Sequence, residues 1–258
     1  MTLERHISAR DNPLLQRLRR LVQDPGGYRR AGAIWIEGEH LCTALRARGW
    51  SARQALLAGS AAADPARRAL AGWADELVTL PDRLFATLSA LPSPAGIGFV
   101  IDLPPAATLD PLVATVVLDR VQDAGNVGSI LRSAAAFGVA QVLALTGTAA
   151  LWSPKVLRAG QGAHFGLRLC EGLSLEALQA LRLPLVAASA QGGEALPQAL
   201  LPAPCAWVFG HEGQGLDAAL LARCARTVRI PQPGGEESLN VAAAAAVCLY
   251  EGLRQRSR

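Results

Sequence analysis

Two amides, a guanidinium and a hydroxyl are the polar side chains best placed for chemistry. Asn126 and Arg132 stand in Asn126-Val-Gly-Ser-Ile-Leu-Arg132, and Ser238 and Asn240 in Ser238-Leu239-Asn240, about a hundred residues later. Each group follows a glycine-rich turn between an apolar run of strand type and a helical pattern. A guanidinium can hold phosphate oxygens in bidentate fashion, while amides and hydroxyls bind and orient neighbouring oxygens. Two such turns far apart in the chain suggest one active site.

The elements that must position these groups form a repeating pattern. Ala114–Leu118, Val139–Leu145, Leu185–Ala188, Ala206–Phe209 and Thr227–Ile230 are short apolar runs followed by turn residues and separated by helical patterns. Strands buried on both faces and alternating with helices imply a parallel sheet with crossovers. In such sheets ligands sit beyond the carboxyl ends of the strands. Three glycine-rich turns lie there: Asp119–Gly128, Gly210–Leu216 and Pro231–Asn240. None matches the P-loop or the G-x-G-x-x-G dinucleotide pattern. Glycine still allows close backbone approach to an adenosine-like ligand.

Upstream, Asn12-Pro13 opens a helical pattern carrying Leu14, Leu15, Leu18 and Leu21, which Pro25-Gly26-Gly27 ends. Ala33–Ile36 has strand character, Glu39–Arg48 is helical before Gly49, and the alternation continues to Val100. Residues 1–101 thus form a small α/β module. The proline-rich stretch 102–111 is the expected linker, and residues 112–258 form the second domain.

Composition narrows the class. Of 258 residues, 51% are apolar and 18% charged, as expected of a compact globular chain. The net charge is +4, and Lys155 is the only lysine. Arg5, Arg10, Arg17, Arg19, Arg20, Arg29 and Arg30 crowd the first thirty residues, an excess that suits a phosphate backbone. Cys42, Cys170, Cys205, Cys224 and Cys248 have neither metal-ligand nor disulfide spacing, so buried thiols in a reducing compartment and no metal are expected. The first residues are polar, no apolar stretch reaches membrane length, and a cytoplasmic protein without membrane partners is expected. His164 and His211 sit near the turns and are either structural or in contact with substrate.

Three ordered strings resemble one family: Asp123-Ala-Gly-Asn-Val-Gly-Ser-Ile-Leu-Arg132, Phe209-Gly-His-Glu-Gly-Gln-Gly-Leu216 and Ile230-Pro-Gln-Pro-Gly-Gly-Glu-Glu-Ser-Leu-Asn-Val241. In order, spacing and position after strands they are similar to the motifs of the SpoU/TrmH-type RNA 2'-O-ribose methyltransferases of the SPOUT superfamily. The resemblance covers residues 112–255. It extends more loosely to the N-terminal module, where Ile7-Ser8, Asn12-Pro13 and Ile36-Glu37-Gly38 look like a ribosomal-protein-like substrate-binding domain. Ala124 stands where the family often has proline, and Gln232-Pro233 replaces a commoner methionine-containing turn. Neither departure removes a functional group.

The resemblance implies an α/β fold with a C-terminal knotted parallel-sheet domain. It also implies S-adenosylmethionine as cofactor, RNA as partner, and a homodimer with active sites at the subunit interface. Ribosomal RNA is favoured over transfer RNA, and a non-catalytic RNA-binding protein on the same scaffold is the alternative. A nucleotide- or metabolite-binding enzyme unrelated to RNA is a third reading, which the arginine-rich start disfavours. By position, Gly210, Ile230 and Leu239 are expected to contact the cofactor through backbone groups, with Ser189 as a weaker candidate. Arg132 is expected to bind phosphate and stabilise alkoxide character on the ribose oxygen, since a guanidinium holds its proton too firmly to be a base. Asn126 then orients Arg132 or the ribose, Glu212 holds donors near the cofactor, and Ser238 and Asn240 complete the hydrogen-bonding ring.

Overall fold

A computed structural model describes residues 3–190, 192–234 and 238–256. Gly235-Glu236-Glu237 of the third turn lie outside the described residues. The chain divides into two compact units, one comprising residues 1–105 with 152–165 and the other residues 106–151 with 166–258.

The first unit is built on strands β1 (Leu3–His6), β2 (Ala33–Glu37), β3 (Gln54–Ala58), β4 (Glu76–Leu80) and β5 (Ile97–Asp102), in the spatial order β1-β4-β3-β5-β2. The pairs β1–β4 and β3–β4 are parallel, and β5 runs antiparallel to both β2 and β3. The helix Pro13–Gln23 begins where Asn12 Oδ1 accepts the Leu14 N–H at 3.0 Å, and it buries Leu14, Leu15, Leu18 and Leu21. That leucine face turns Arg17 and Arg20 to solvent. The segment Trp152–Phe165 also packs in this unit, although it is strung between two strands of the other. Its Phe165 carbonyl accepts from Trp50 Nε1 at 3.1 Å, and the Trp50 ring lies 5.9 Å from Trp152 and 5.5 Å from Phe165. His164 is fully buried against Trp152, which assigns it a structural place.

The second unit contains β6 (Thr115–Leu118), β7 (Gln141–Leu145), β8 (Arg168–Leu173), β9 (Leu185–Ala188), β10 (Glu194–Ala195), β11 (Ala206–Phe209) and β12 (Arg226–Arg229). They form one parallel sheet in the order β10-β12-β9-β11-β6-β7-β8. From β6 the chain builds outward through β7 and β8, then returns to build the other half. The direction reverses between β6 and β11, which places the turns after these neighbouring strands side by side. Val117, Leu143, Val208 and Leu220 centre the core on one face. On the other, the helix Val241–Arg256 lies against the sheet with Gly252 over Trp207, and it packs along the helix Ala124–Ala136, where Phe137 and Tyr250 meet edge to face.

The proline-rich stretch expected as a linker is divided. Ala107 and Leu109 pack on the sheet core, and the fully buried Gln141 fixes Asp110. Gln141 Oε1 accepts the Asp110 N–H at 2.8 Å, while its Nε2 donates to the Asp110 carbonyl at 3.0 Å and to Thr115 Oγ1 at 2.9 Å. A buried backbone pair left without such a partner is costly, so this side chain seals the end of the sheet remote from the turns. Gln141→Ala is expected to lower the free energy of unfolding by about 2 kcal/mol. Urea denaturation tests this, and a change within about 0.5 kcal/mol would deny the seal its role.

Candidate active site

The helix Ala124–Ala136 starts where Asp123 Oδ1 accepts the Asn126 N–H at 2.8 Å. A Cβ on residue 125 would stand 2.9 Å from that same oxygen, so a side chain there would push the capping carboxylate aside. The cap places the Asn126 side chain at the carboxyl end of β6. Across the neighbouring turn, Glu212 extends its carboxylate to this point. Oε1 accepts the Asp123 N–H and Asn126 Nδ2, both at 3.1 Å, and Oε2 accepts the Gln122 N–H at 3.3 Å. From the third turn Asn240 Nδ2 donates to Asn126 Oδ1 at 2.9 Å. Asn240 Oδ1 in turn accepts the N–H groups of Ala242 and Ala243 at 2.9 and 3.2 Å, beginning the helix Val241–Arg256. Asn240 therefore caps that helix.

The direction of every bond in this chain is fixed. An ionised carboxylate only accepts, so Asn126 must turn its NH2 group to Glu212 and its oxygen to Asn240. Asn240 must then donate, which leaves its oxygen for the helix. Burial pushes the Glu212 carboxyl up, but the Asn126 amide and backbone N–H groups outweigh it and hold the carboxyl below its ordinary value. Asn126 spends both amide atoms on Glu212 and Asn240, and so braces the two turns without touching Arg132.

A second clasp holds the same turn at its other end. The carboxylate of Asp119 is buried at the tip of β6 and accepts Arg120 Nε at 2.8 Å, Arg120 Nη2 at 2.9 Å and the Asp217 N–H at 2.7 Å. Arg120 reaches back to its own neighbour because its backbone is left-handed, with φ of 58°. Its Nη1 also donates to Gln214 Oε1 at 3.2 Å. The hydrogen-bonded Asp119 carboxylate beside it raises the pKa of the guanidinium. Sequence reasoning passed over Asp119 and Arg120; the available signal was an acid and a base directly after a β-branched strand.

Between the two clasps the turn folds tightly on itself. A Cβ on Gly210 would lie 2.6 Å from the Gly215 carbonyl carbon, so only glycine allows this closure. Beside it opens a cavity of about 650 Å³. Ser189, Gly210, Glu212, Ile230, Ser238, Leu239 and Asn240 line it, joined by His211, Gln214 and Gln232. All four residues expected at a cofactor thus line it.

Arg132 is elsewhere. It lies on the same helix as Asn126 but is exposed, does not line the cavity, and has no hydrogen-bond or ion-pair partner among the described residues. Six residues of α-helix carry the chain about 9 Å along the axis and turn it by roughly 240°, so the two side chains leave the helix in different directions. Among the described residues no cluster of three or more His, Cys, Asp or Glu could hold a metal ion, and no helix is long and apolar enough to cross a membrane. Four cysteines are buried and Cys224 is half-buried, and burial raises Cys205 to about 11.

A depressed carboxyl stabilises the fold above its unfolded value, and that contribution is lost as the pH falls through the folded one. Glu212→Gln is therefore expected to cost stability at neutral pH, with the deficit against the unaltered protein shrinking once the pH drops below the ordinary glutamate value of 4.5. Thermal melts of both proteins across that range check this; a deficit that grows with acidity would contradict the assignment of an ionised anchor.

Comparison with known proteins agrees with this geometry. The chain is 32% identical over 272 residues to an uncharacterized tRNA/rRNA methyltransferase of Synechocystis, covering 97% of this chain and 94% of that protein. It is 30% identical to the 23S rRNA (uridine(2479)-2'-O)-methyltransferase of Streptomyces viridochromogenes, with 98% and 93% covered. The crystal structure of the SpoU methyltransferase AviRb from the same organism, in complex with AdoMet, is similar over 95% of this chain and 98% of that one, with 27% identity and a TM-score of 0.85. The family model of the SpoU rRNA methylases matches residues 114–250, which span the sheet and all three clasped turns, and the chain belongs to that family.

Proposed function

We propose that this chain transfers a methyl group from S-adenosylmethionine to a ribose 2'-hydroxyl of ribosomal RNA. The observation that carries the reading is the bonded chain Glu212–Asn126–Asn240, which ties three separate turns together, two of them lining one cavity. The cavity suits the cofactor. Its volume of about 650 Å³ exceeds that of a nucleoside with an amino-acid arm, Ile230, Leu216 and Leu239 offer apolar contact to a base, and its polar groups are amides, hydroxyls, His211 and the engaged carboxylate of Glu212. When bound, the cofactor supplies an electrophilic sulfonium methyl. The residues then have positioning work to do, because in-line attack by a hydroxyl depends chiefly on orientation. Glu212 is already engaged by three donors and serves as an anchor rather than a proton acceptor. Ser238 lines the cavity with a hydroxyl that no described residue bonds, and Asn240 fixes the start of the last helix. That the C-terminal segment threads the domain as a knot is part of the same reading, supported by the return of Asn240 to the first turn.

We further infer that the working form is a homodimer in which Arg132 of one copy serves the cavity of the other. Gly125, Ser129, Arg132 and Ala136 form one exposed face of their helix, and Ala243, Val247 and Tyr250 an exposed face of the helix packed beside it. Val247 is 43% and Tyr250 56% exposed, an apolar surface that a second copy would cover. The N-terminal unit is the RNA-binding module in this reading. Arg10, Arg17 and Arg20 are exposed and without ion-pair partners among the described residues, whereas Arg5 is paired with Glu76 and Arg30 with Asp24.

Two measurements test the reading. Arg132→Ala is expected to cut methyl transfer by roughly two to three orders of magnitude, the size found for loss of one group that stabilises a developing oxyanion, while titration calorimetry shows S-adenosylmethionine affinity changed less than about threefold; unimpaired transfer of tritiated methyl would exclude it from the reaction. Val247→Asp is expected to convert a dimer to monomers in light scattering after size exclusion, with loss of transfer and retained cofactor binding. A monomeric wild-type protein that is fully active would remove the shared site.

A further inference from the structure

His211 lines the cavity, and its ring is held in one state by the turn beneath it. Nδ1 accepts the backbone N–H of Gly213 at 2.9 Å and that of Gln214 at 3.1 Å. The turn itself is closed by paired backbone bonds between His211 and Gly215, at 3.1 and 2.9 Å. A ring nitrogen that accepts two amide hydrogens carries none of its own, so the neutral imidazole must hold its proton on Nε2. Nε2 lies across the ring from the turn, and no described residue bonds it. His211 is therefore a donor with a fixed direction. It cannot be the base of the reaction, since Nδ1 is occupied and Nε2 already bears hydrogen.

The rest of the described wall offers only amide and hydroxyl donors, with no lysine or arginine. One hydrogen of the Asn240 amide goes to Asn126, and its oxygen accepts from the helix start. The amino-acid arm of S-adenosylmethionine ends in a carboxylate, which must exchange water for other donors on entering the cavity. We propose that His211 is a cofactor-binding residue whose Nε2–H donates to that carboxylate. This rests on reading the cavity as the S-adenosylmethionine site.

The test uses the full-length protein and two ligands that differ by the carboxylate alone, S-adenosylhomocysteine and its decarboxylated analogue. His211→Asn places Oδ1 close to where Nδ1 sits, preserving the two backbone bonds as an Asx-type turn while leaving nothing at the position of Nε2. By titration calorimetry the wild type is expected to bind S-adenosylhomocysteine about tenfold more tightly than the analogue, the value of a hydrogen bond to a charged group. The Asn variant is expected to lose most of that discrimination. Because the readout is a ratio within each protein, a general weakening of the pocket leaves it unmoved. A wild type that does not discriminate, or an Asn variant that discriminates as well as wild type, overturns the proposal. A wild type that binds neither ligand overturns the cofactor reading itself, and this inference with it.

Discussion

The site depends on one acceptor that cannot donate. Glu212 gathers two backbone N–H groups and one side-chain amide from the turn after β6, and because it is ionised the polarity of every later bond is decided. Asparagine is ambiguous by itself, since its oxygen and nitrogen can exchange places by a half-turn. Anchored at Glu212, Asn126 has one allowed orientation, and through it so does Asn240. A network with a single satisfied arrangement is rigid, and a rigid cavity binds without first ordering itself. The carboxylate thus acts less as a reagent than as the reference from which three loops take their positions.

The sheet makes this possible. Reversal of strand order between β6 and β11 brings their turns together, and β12 and β9 follow on the same side, so the carboxyl ends of β9, β11 and β12 open toward one cavity while the turn after β6 backs the β11 turn. The Asp119–Arg120 clasp then fixes the base of the turn whose tip Glu212 holds. With a left-handed backbone at Arg120 and a buried carboxylate at Asp119, this clasp stores local cost in exchange for a fixed turn. Gly210 completes the arrangement, because the turn closes on itself where any side chain would collide.

Much of this was legible in the residues. The five runs that became β6, β7, β9, β11 and β12 are β-branched or apolar stretches ending in turn residues, and local pattern is enough to find them. The three glycine turns and most of their polar groups were visible for the same reason. What escaped depends on distant partners. β10 is two residues long and exists only because it pairs with β12. The segment Trp152–Phe165 lies between β7 and β8 in sequence, yet it packs with Trp50 by aromatic contacts that no periodicity announces. Asp110 looked like linker because its partner, Gln141, is thirty-one residues away. Asn240 was legible as a polar group of the third turn, but its bond to Asn126 spans 114 residues and no local pattern announces it.

The spacing of Asn126 and Arg132 carries a consequence for the assembly. Asn126 bonds inward to Glu212 and Asn240, and a residue six positions on leaves the helix in a different direction. The helix runs unbroken from Ala124 to Ala136, and Arg132 is exposed on its outer face. The exposed arginine therefore has work only at a surface, and its own helix face offers Gly125, Ser129 and Ala136, small enough for another backbone to approach closely. Beside it, Val247 and Tyr250 extend the same surface with apolar area. In the proposed dimer the amide and the guanidinium of one motif divide their labour: Asn126 builds the cavity of its own chain, and Arg132 brings charge to that of its neighbour. Such a division makes methyl transfer conditional on association, while cofactor binding, which needs only the clasped turns, is complete in a single chain.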